Sequence, residues 1–203
     1  MSQSKKIKEY VIHLFAHPKY ERILDKIHDK YIDEGKPDYL AVPYILMCSI
    51  TLEARLNDEL HNHATTVWKD DFTTIANSYM SMSFRSKLNS LVPILTENKF
   101  RINQDHFVYQ RLASLITIRN KLAHPKTTIE KFKAEEPDKK GFPFLVGLPP
   151  EYFEKVDDLT LGTKDAFTPL EYHEALEKLE KWFFRRCPDG LSKVEMVIAN
   201  ENS

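Results

Sequence analysis

The sequence predicts an all-α fold, a bundle of four to six helices with one long, mostly irregular insertion at 126–167 before the last helix. Three observations predict it. Apolar residues recur at three- and four-residue spacings along most of the chain, which gathers them on one face of a helix. Five glycines in 203 residues leave little for the turns of a β-rich fold. Thr168-Pro169-Leu170-Glu171 is a capping box with proline at the first helical position, and it opens a final helix. A chain of this length can bury one substantial core. A single domain over 1–203 is therefore expected, with 188–203 as a flexible C-terminal tail.

The elements follow in order. Ile7, Tyr10, Val11, Leu14 and Phe15 are spaced as one amphipathic helix, and after His17-Pro18 the set Ile23, Leu24, Ile27 and Tyr31 gives a second. Gly35-Lys36-Pro37 ends it. A long helix is expected from Asp38 to His61, with Pro43 tolerable because it lies near the start. Its first half is apolar on every side, which suits the centre of a bundle or of a dimer. A weaker segment covers Phe72 to Tyr79, Ser83 caps a helix over Phe84 to Leu95, and Pro93 should bend or end that helix. Asn103 or Asp105 starts the next one, whose buried stripe is Val108, Leu112, Leu115 and Leu122. Continued at its own spacing, the stripe includes Arg119, so a charge is expected in a core register. The last helix runs to Arg186 with Leu170, Ala175, Leu176, Leu179, Trp182 and Phe183 inward, and Pro188-Asp189-Gly190 stops it.

Composition excludes several classes. A formal net charge of -1 is not that of a globally basic nucleic-acid binder, so any polyanion site must be a local concentration of positive charge. The two cysteines, Cys48 and Cys187, make neither a disulfide framework nor a metal cluster, and a reducing cytoplasm is the expected compartment. The uncharged run from Tyr39 to Leu52 is short of the roughly 20 residues needed to span a bilayer, so no membrane association is expected. His61 and His63 stand two apart, not at the four-residue spacing that puts two imidazoles on one helical face. No metal and no cofactor is expected, and no glycine-rich phosphate loop, serine elbow or cysteine nucleophile motif is present. The charged insertion, with Lys126, Lys131, Lys133, Lys139 and Lys140 among Glu130, Glu135, Glu136 and Asp138, reads as solvated surface.

Four arginines are followed by a histidine five or six positions on: Arg22 with His28, Arg55 with His61, Arg101 with His106, and Arg119 with His124. About one such pair is expected by chance, so spacing alone does not choose among them. Context selects Arg119-Asn120-Lys121-Leu122-Ala123-His124, where a core-register arginine, a polar neighbour and a histidine before Pro125 close one helix. A buried guanidinium implies a carboxylate, a phosphate ligand or a partner chain, and Glu53, the first charge after the uncharged run of the long helix, is the preferred internal partner. The other three arginines fall on exposed faces or helix edges by the same pattern.

This segment resembles the signature of the HEPN family, the helical higher-eukaryote and prokaryote nucleotide-binding domains. That signature is an Arg, a polar residue and a His four to six positions on, at the end of a bundle helix. The resemblance extends over Tyr39 to Pro125 through the helix order and Glu53. It implies a HEPN-type bundle and a metal-independent endoribonuclease acting as a homodimer on RNA, with Arg119, Asn120 and His124 catalytic and Glu53 in support. It also implies a toxin or defence role, with an antitoxin or a nucleotidyltransferase-like protein as partner. The alternative is a non-catalytic HEPN-like module that binds a partner protein or a nucleotide, Arg119 serving structure.

Overall fold

The computed structural model describes residues 14–68, 71–123, 167–183 and 196–200. Among these residues the chain forms six helices and one two-stranded ribbon: α1 His17–Asp33, α2 Asp38–Val67, α3 Phe72–Ser81, α4 Phe84–Leu95, β1 Phe100–Ile102, α5 Phe107–Ala123, α6 Pro169–Phe183 and β2 Val197–Ala199. The chain is therefore mainly α-helical. The insertion at 126–167 lies outside the described residues apart from Phe167. So does the first predicted helix, except for Leu14 to Ala16, which are not helical.

Helix α2 occupies the centre because its sequence leaves it nowhere else to go. Tyr44, Ile45, Cys48, Leu52, Leu56 and Leu60 are all buried, and α1, α3, α4, α5 and α6 pack around it. It runs to Val67, beyond the expected end at His61, and carries Pro43 in its second turn. By length and composition it could cross a membrane, and 50% of its most apolar window is buried inside the protein. Leu88, Leu91 and Val92 of α4, Val108, Leu112 and Leu115 of α5, and Tyr172, Ala175 and Leu179 of α6 complete a continuous core.

Helix boundaries follow local chemistry. Ser83 accepts a hydrogen bond from the Ser86 amide at 3.1 Å and caps α4, which continues through Pro93 to Leu95. Asn103 and Asp105 do not start α5. The Nδ1 of His106 accepts from the Val108 amide at 3.3 Å, while Asn103 holds the preceding turn by accepting from the Asp105 amide. The capping box at α6 is reciprocal: the Thr168 amide donates to Glu171 Oε2 at 2.8 Å and the Glu171 amide to Thr168 Oγ1 at 3.3 Å. These bonds to Thr168, with Arg111 nearby, hold the Glu171 carboxyl below its usual range.

Two expectations are corrected. Met196 to Asn200, placed in a flexible tail, includes strand β2, which pairs antiparallel with β1 through Phe100 with Ala199, Arg101 with Ile198 and Ile102 with Val197. Arg55, expected on an exposed face or a helix edge, is only 5% exposed. Arg55 lies on the face of α2 that packs against α1 and α6, and a charge on that face is buried and must be neutralised in place. Arg55 Nε lies 3.1 Å from Glu180 of α6, Nη2 lies 3.1 Å from Glu59, and Nη1 donates to His17 Nε2 of α1 at 2.5 Å. His17 in turn donates from Nδ1 to Asp58 at 2.7 Å. One guanidinium thus ties α1, α2 and α6.

Arg55→Met should cost about 3–5 kcal/mol in urea unfolding, because it strands the buried carboxylates that the guanidinium neutralises. A loss below about 1 kcal/mol would show that the network contributes little.

Candidate functional site

Arg119 lies one turn from the end of α5 and meets α2. Its Nη2 is 3.6 Å from Glu53 Oε2, and its Nη1 donates to Asn120 Oδ1 at 3.0 Å. The side chains of Arg119 and Glu53 are 33% and 34% exposed. The expected core register is therefore corrected: the guanidinium is half-buried at the rim. Its angular position does match the stripe, since Val108, Leu112 and Leu115 are fully buried. But the last turn of α5 runs past the end of the core, where Leu122 is half-buried and Ala123 exposed. Glu53 leaves the apolar half of α2 at the same level, which is why the two charges meet.

A guanidinium has five N–H donors in a planar fork. With one bonded to Asn120 and a carboxylate at ion-pair range, Arg119 keeps donors, among the described residues, for a second oxygen-rich ligand, and its exposure lets such a ligand reach it. Asn120 is exposed and orients the fork. His124 lies outside the described residues, immediately after the last described residue of α5.

Asn57 of α2 is a residue that sequence reasoning passed over. It follows Glu53 by four positions and so shares its face of α2. Its side-chain oxygen is out of solvent with no hydrogen-bond partner among the described residues. The four-residue spacing from Glu53 was the available signal.

Other clusters lie elsewhere. Arg85 of α4 donates to the Ala113 carbonyl at 2.6 Å and to Thr117 at 3.2 Å, a helix-to-helix tie. His63 contacts the Tyr79 hydroxyl at 3.5 Å, and burial lowers its pKa against the pull of Glu97. Among the described residues no three His, Cys, Asp or Glu side chains are grouped to hold a metal ion. Burial pushes the Cys48 thiol far up, away from thiolate chemistry. A second polar group at the α1–α2–α6 seam sets Tyr44 OH 2.5 Å from His28 Nδ1 and 2.6 Å from His173 Nδ1.

No family model matches the chain, and no curated protein or solved structure matches it.

A half-exposed ion pair contributes little to stability. Arg119→Ala should change the unfolding free energy by less than about 1 kcal/mol, far below the effect at Arg55. A loss of several kcal/mol would make Arg119 a structural pillar and not an available binding group.

Proposed function

We propose that the chain is a HEPN-like endoribonuclease, acting as a dimer and without a metal, with Arg119, Asn120 and His124 as its catalytic residues. The observation that carries this reading is the rim position of Arg119, a guanidinium held by Glu53 and Asn120 yet open to a phosphate. Glu53 is a positioning residue: it fixes the fork without consuming it.

The chemistry follows from the residue types. An imidazole titrates closest to neutrality, so His124 takes the proton from a ribose 2′-hydroxyl or returns one to the leaving 5′-oxygen. The 2′-oxygen attacks the adjacent phosphorus, and the fork of Arg119 bonds the phosphoryl oxygens as negative charge builds on them. Products are a 2′,3′-cyclic phosphate and a 5′-hydroxyl. DNA lacks the internal nucleophile and is not cut.

A second copy has a surface to use. Tyr39 and Ile50 are exposed, Pro43 and Leu46 lie between them at helical spacing, and the stripe leads along α2 into Glu53. Pairing there brings two Arg119 sites close together. A toxin or defence role, with an antitoxin or nucleotidyltransferase-like partner, rests on the family resemblance alone.

The Glu53–Arg119 pair also favours a second reading, a non-catalytic module in which Arg119 serves structure. Purified protein incubated with single-stranded RNA in EDTA separates the two. The nuclease reading expects cleavage to cyclic-phosphate ends, lost by roughly 10²-fold or more in His124→Ala and in Arg119→Ala with the fold and the dimer intact. Undiminished cleavage by His124→Ala removes the assignment, and no cleavage by any version together with a large stability loss at Arg119 leaves the module.

A further inference from the structure

The seam between α6 and the α1–α2 pair is fastened at two points. At one, Arg55 reaches Glu180. At the other, three polar atoms face one another: Tyr44 OH, His28 Nδ1 and His173 Nδ1, with the two nitrogens 3.1 Å apart. Tyr44 is fully buried and His173 nearly so.

Proton counting constrains this triangle. Two protons satisfy it: one nitrogen donates to the tyrosine oxygen, and the tyrosine hydroxyl donates to the other nitrogen. A third proton on the facing atoms turns both nitrogens into donors and leaves the hydroxyl proton without an acceptor inside the triangle. It also adds positive charge to a buried site, a cost that Glu177 and Asp25 offset only in part. With His28 donating from Nδ1 to the tyrosine oxygen, the tyrosine hydroxyl donates to Nδ1 of His173, the more deeply buried ring. His173 then carries the constraint.

We infer that α6 is a proton-counting latch: it stays docked on α1 and α2 while the Tyr44–His28–His173 triangle holds two protons, and it loosens when His173 takes a third. The consequence reaches α5, because Arg111 of α5 is held by Glu171 and Glu174 of α6 at 3.2 and 2.7 Å. Loosening α6 removes the brace of the helix that carries Arg119.

The charged and titratable groups around the seam are His17, Glu21, Asp25, His28 and Tyr31 on α1, Tyr44, Cys48, Arg55, Asp58 and Glu59 on α2, Arg111 on α5, and Glu171, Glu174, Glu177 and Glu180 on α6. Burial, then His28, lower the His173 pKa below its ordinary 6.5, and Glu177 and Asp25 oppose this only in part. The folded chain therefore refuses a proton that the unfolded chain accepts. Stability linked to His173 is present above about 6.5 and lost as the pH falls. Glu180 has the opposite sign. Burial lifts its carboxyl from 4.5 to about 7 despite Arg55, with Glu21 and Glu59 adding to the rise. Its contribution is full below 4.5 and lost as the pH rises through about 7. In the wild type the two linkages oppose each other.

Variants separate them. Hydrogen exchange of the α6 amides, corrected for intrinsic rates, is followed from about pH 8 to about pH 5.5. The Glu180→Gln/His173→Asn double variant serves as the background. Glu180→Gln should lose protection in α6 on acidification, more steeply than the wild type. His173→Asn should gain protection over the same interval. If His173→Asn fails to fold, the Glu180→Gln slope against wild type decides alone. A Glu180→Gln protein whose α6 protection is flat or rises on acidification overturns the latch, whatever the protein does to RNA.

Discussion

A positive charge fixed inside a helical core constrains everything around it. Arg55 sits on the one helix that all the others cover, so its guanidinium has lost its water and must find acceptors within the protein. Glu59 is one turn further along the same helix and arrives automatically. Glu180 and His17 come from α6 and α1, and each meets the guanidinium in only one register of its helix. A slide of either helix by one turn would leave a buried charge unpaired. Apolar packing alone tolerates such slides far better, because a leucine accepts many neighbours.

The second polar group on this seam works by the same logic with neutral atoms. Tyr44 is held between His28 and His173, with Tyr31 edge-on to its ring at 5.2 Å. Cys48 and Leu52 separate it from Arg55 along α2, so two polar fastenings flank an apolar stretch. Each fastening is demanding in a different way: one fixes the balance of charges, the other the number of protons. Burial, with Glu21 and Glu59 adding to it, is why Glu180 resists ionisation even beside a guanidinium. Buried polar groups of this kind specify an arrangement more sharply than they stabilise it.

What could be read in advance was what depends on near neighbours in the chain. Ser83 as a cap, the Thr168 to Glu171 box and the apolar spacing of α1, α2, α4 and α6 all rest on residues within one or two turns, and their chemistry is complete in the sequence. What could not be read depends on where a helix lies relative to the rest. Arg119 has the angular phase of a core residue but sits where α5 leaves the core, and phase says nothing about that. Arg55 has a phase that would be solvent-facing on any peripheral helix, and α2 is not peripheral. The β1–β2 pairing joins segments about a hundred residues apart, each only Phe100–Ile102 or Val197–Ala199 in length, too short to show a period. The histidine that starts α5, His106, acts through a ring nitrogen where serine, threonine, aspartate or asparagine are the usual caps.

The contrast between the two arginines bears directly on which of them can act on a ligand. Arg55 meets its acceptors at 2.5 to 3.1 Å with its side chain sealed, and exchanging any of them for a phosphate would strand a buried carboxylate. Among the described residues Arg119 faces one carboxylate, at 3.6 Å, with both groups a third exposed. Water screens that pair, so Glu53 holds the fork in place weakly and releases its donors at small cost. A dianionic or monoanionic phosphate offers the fork two oxygens at once, a better match than one distant carboxylate oxygen. Asn120, bonded to Nη1, limits the rotation of the fork while this exchange takes place. An arginine that is to bind a phosphate reversibly has to be anchored yet underpaired, and of the two arginines Arg119 alone meets both conditions.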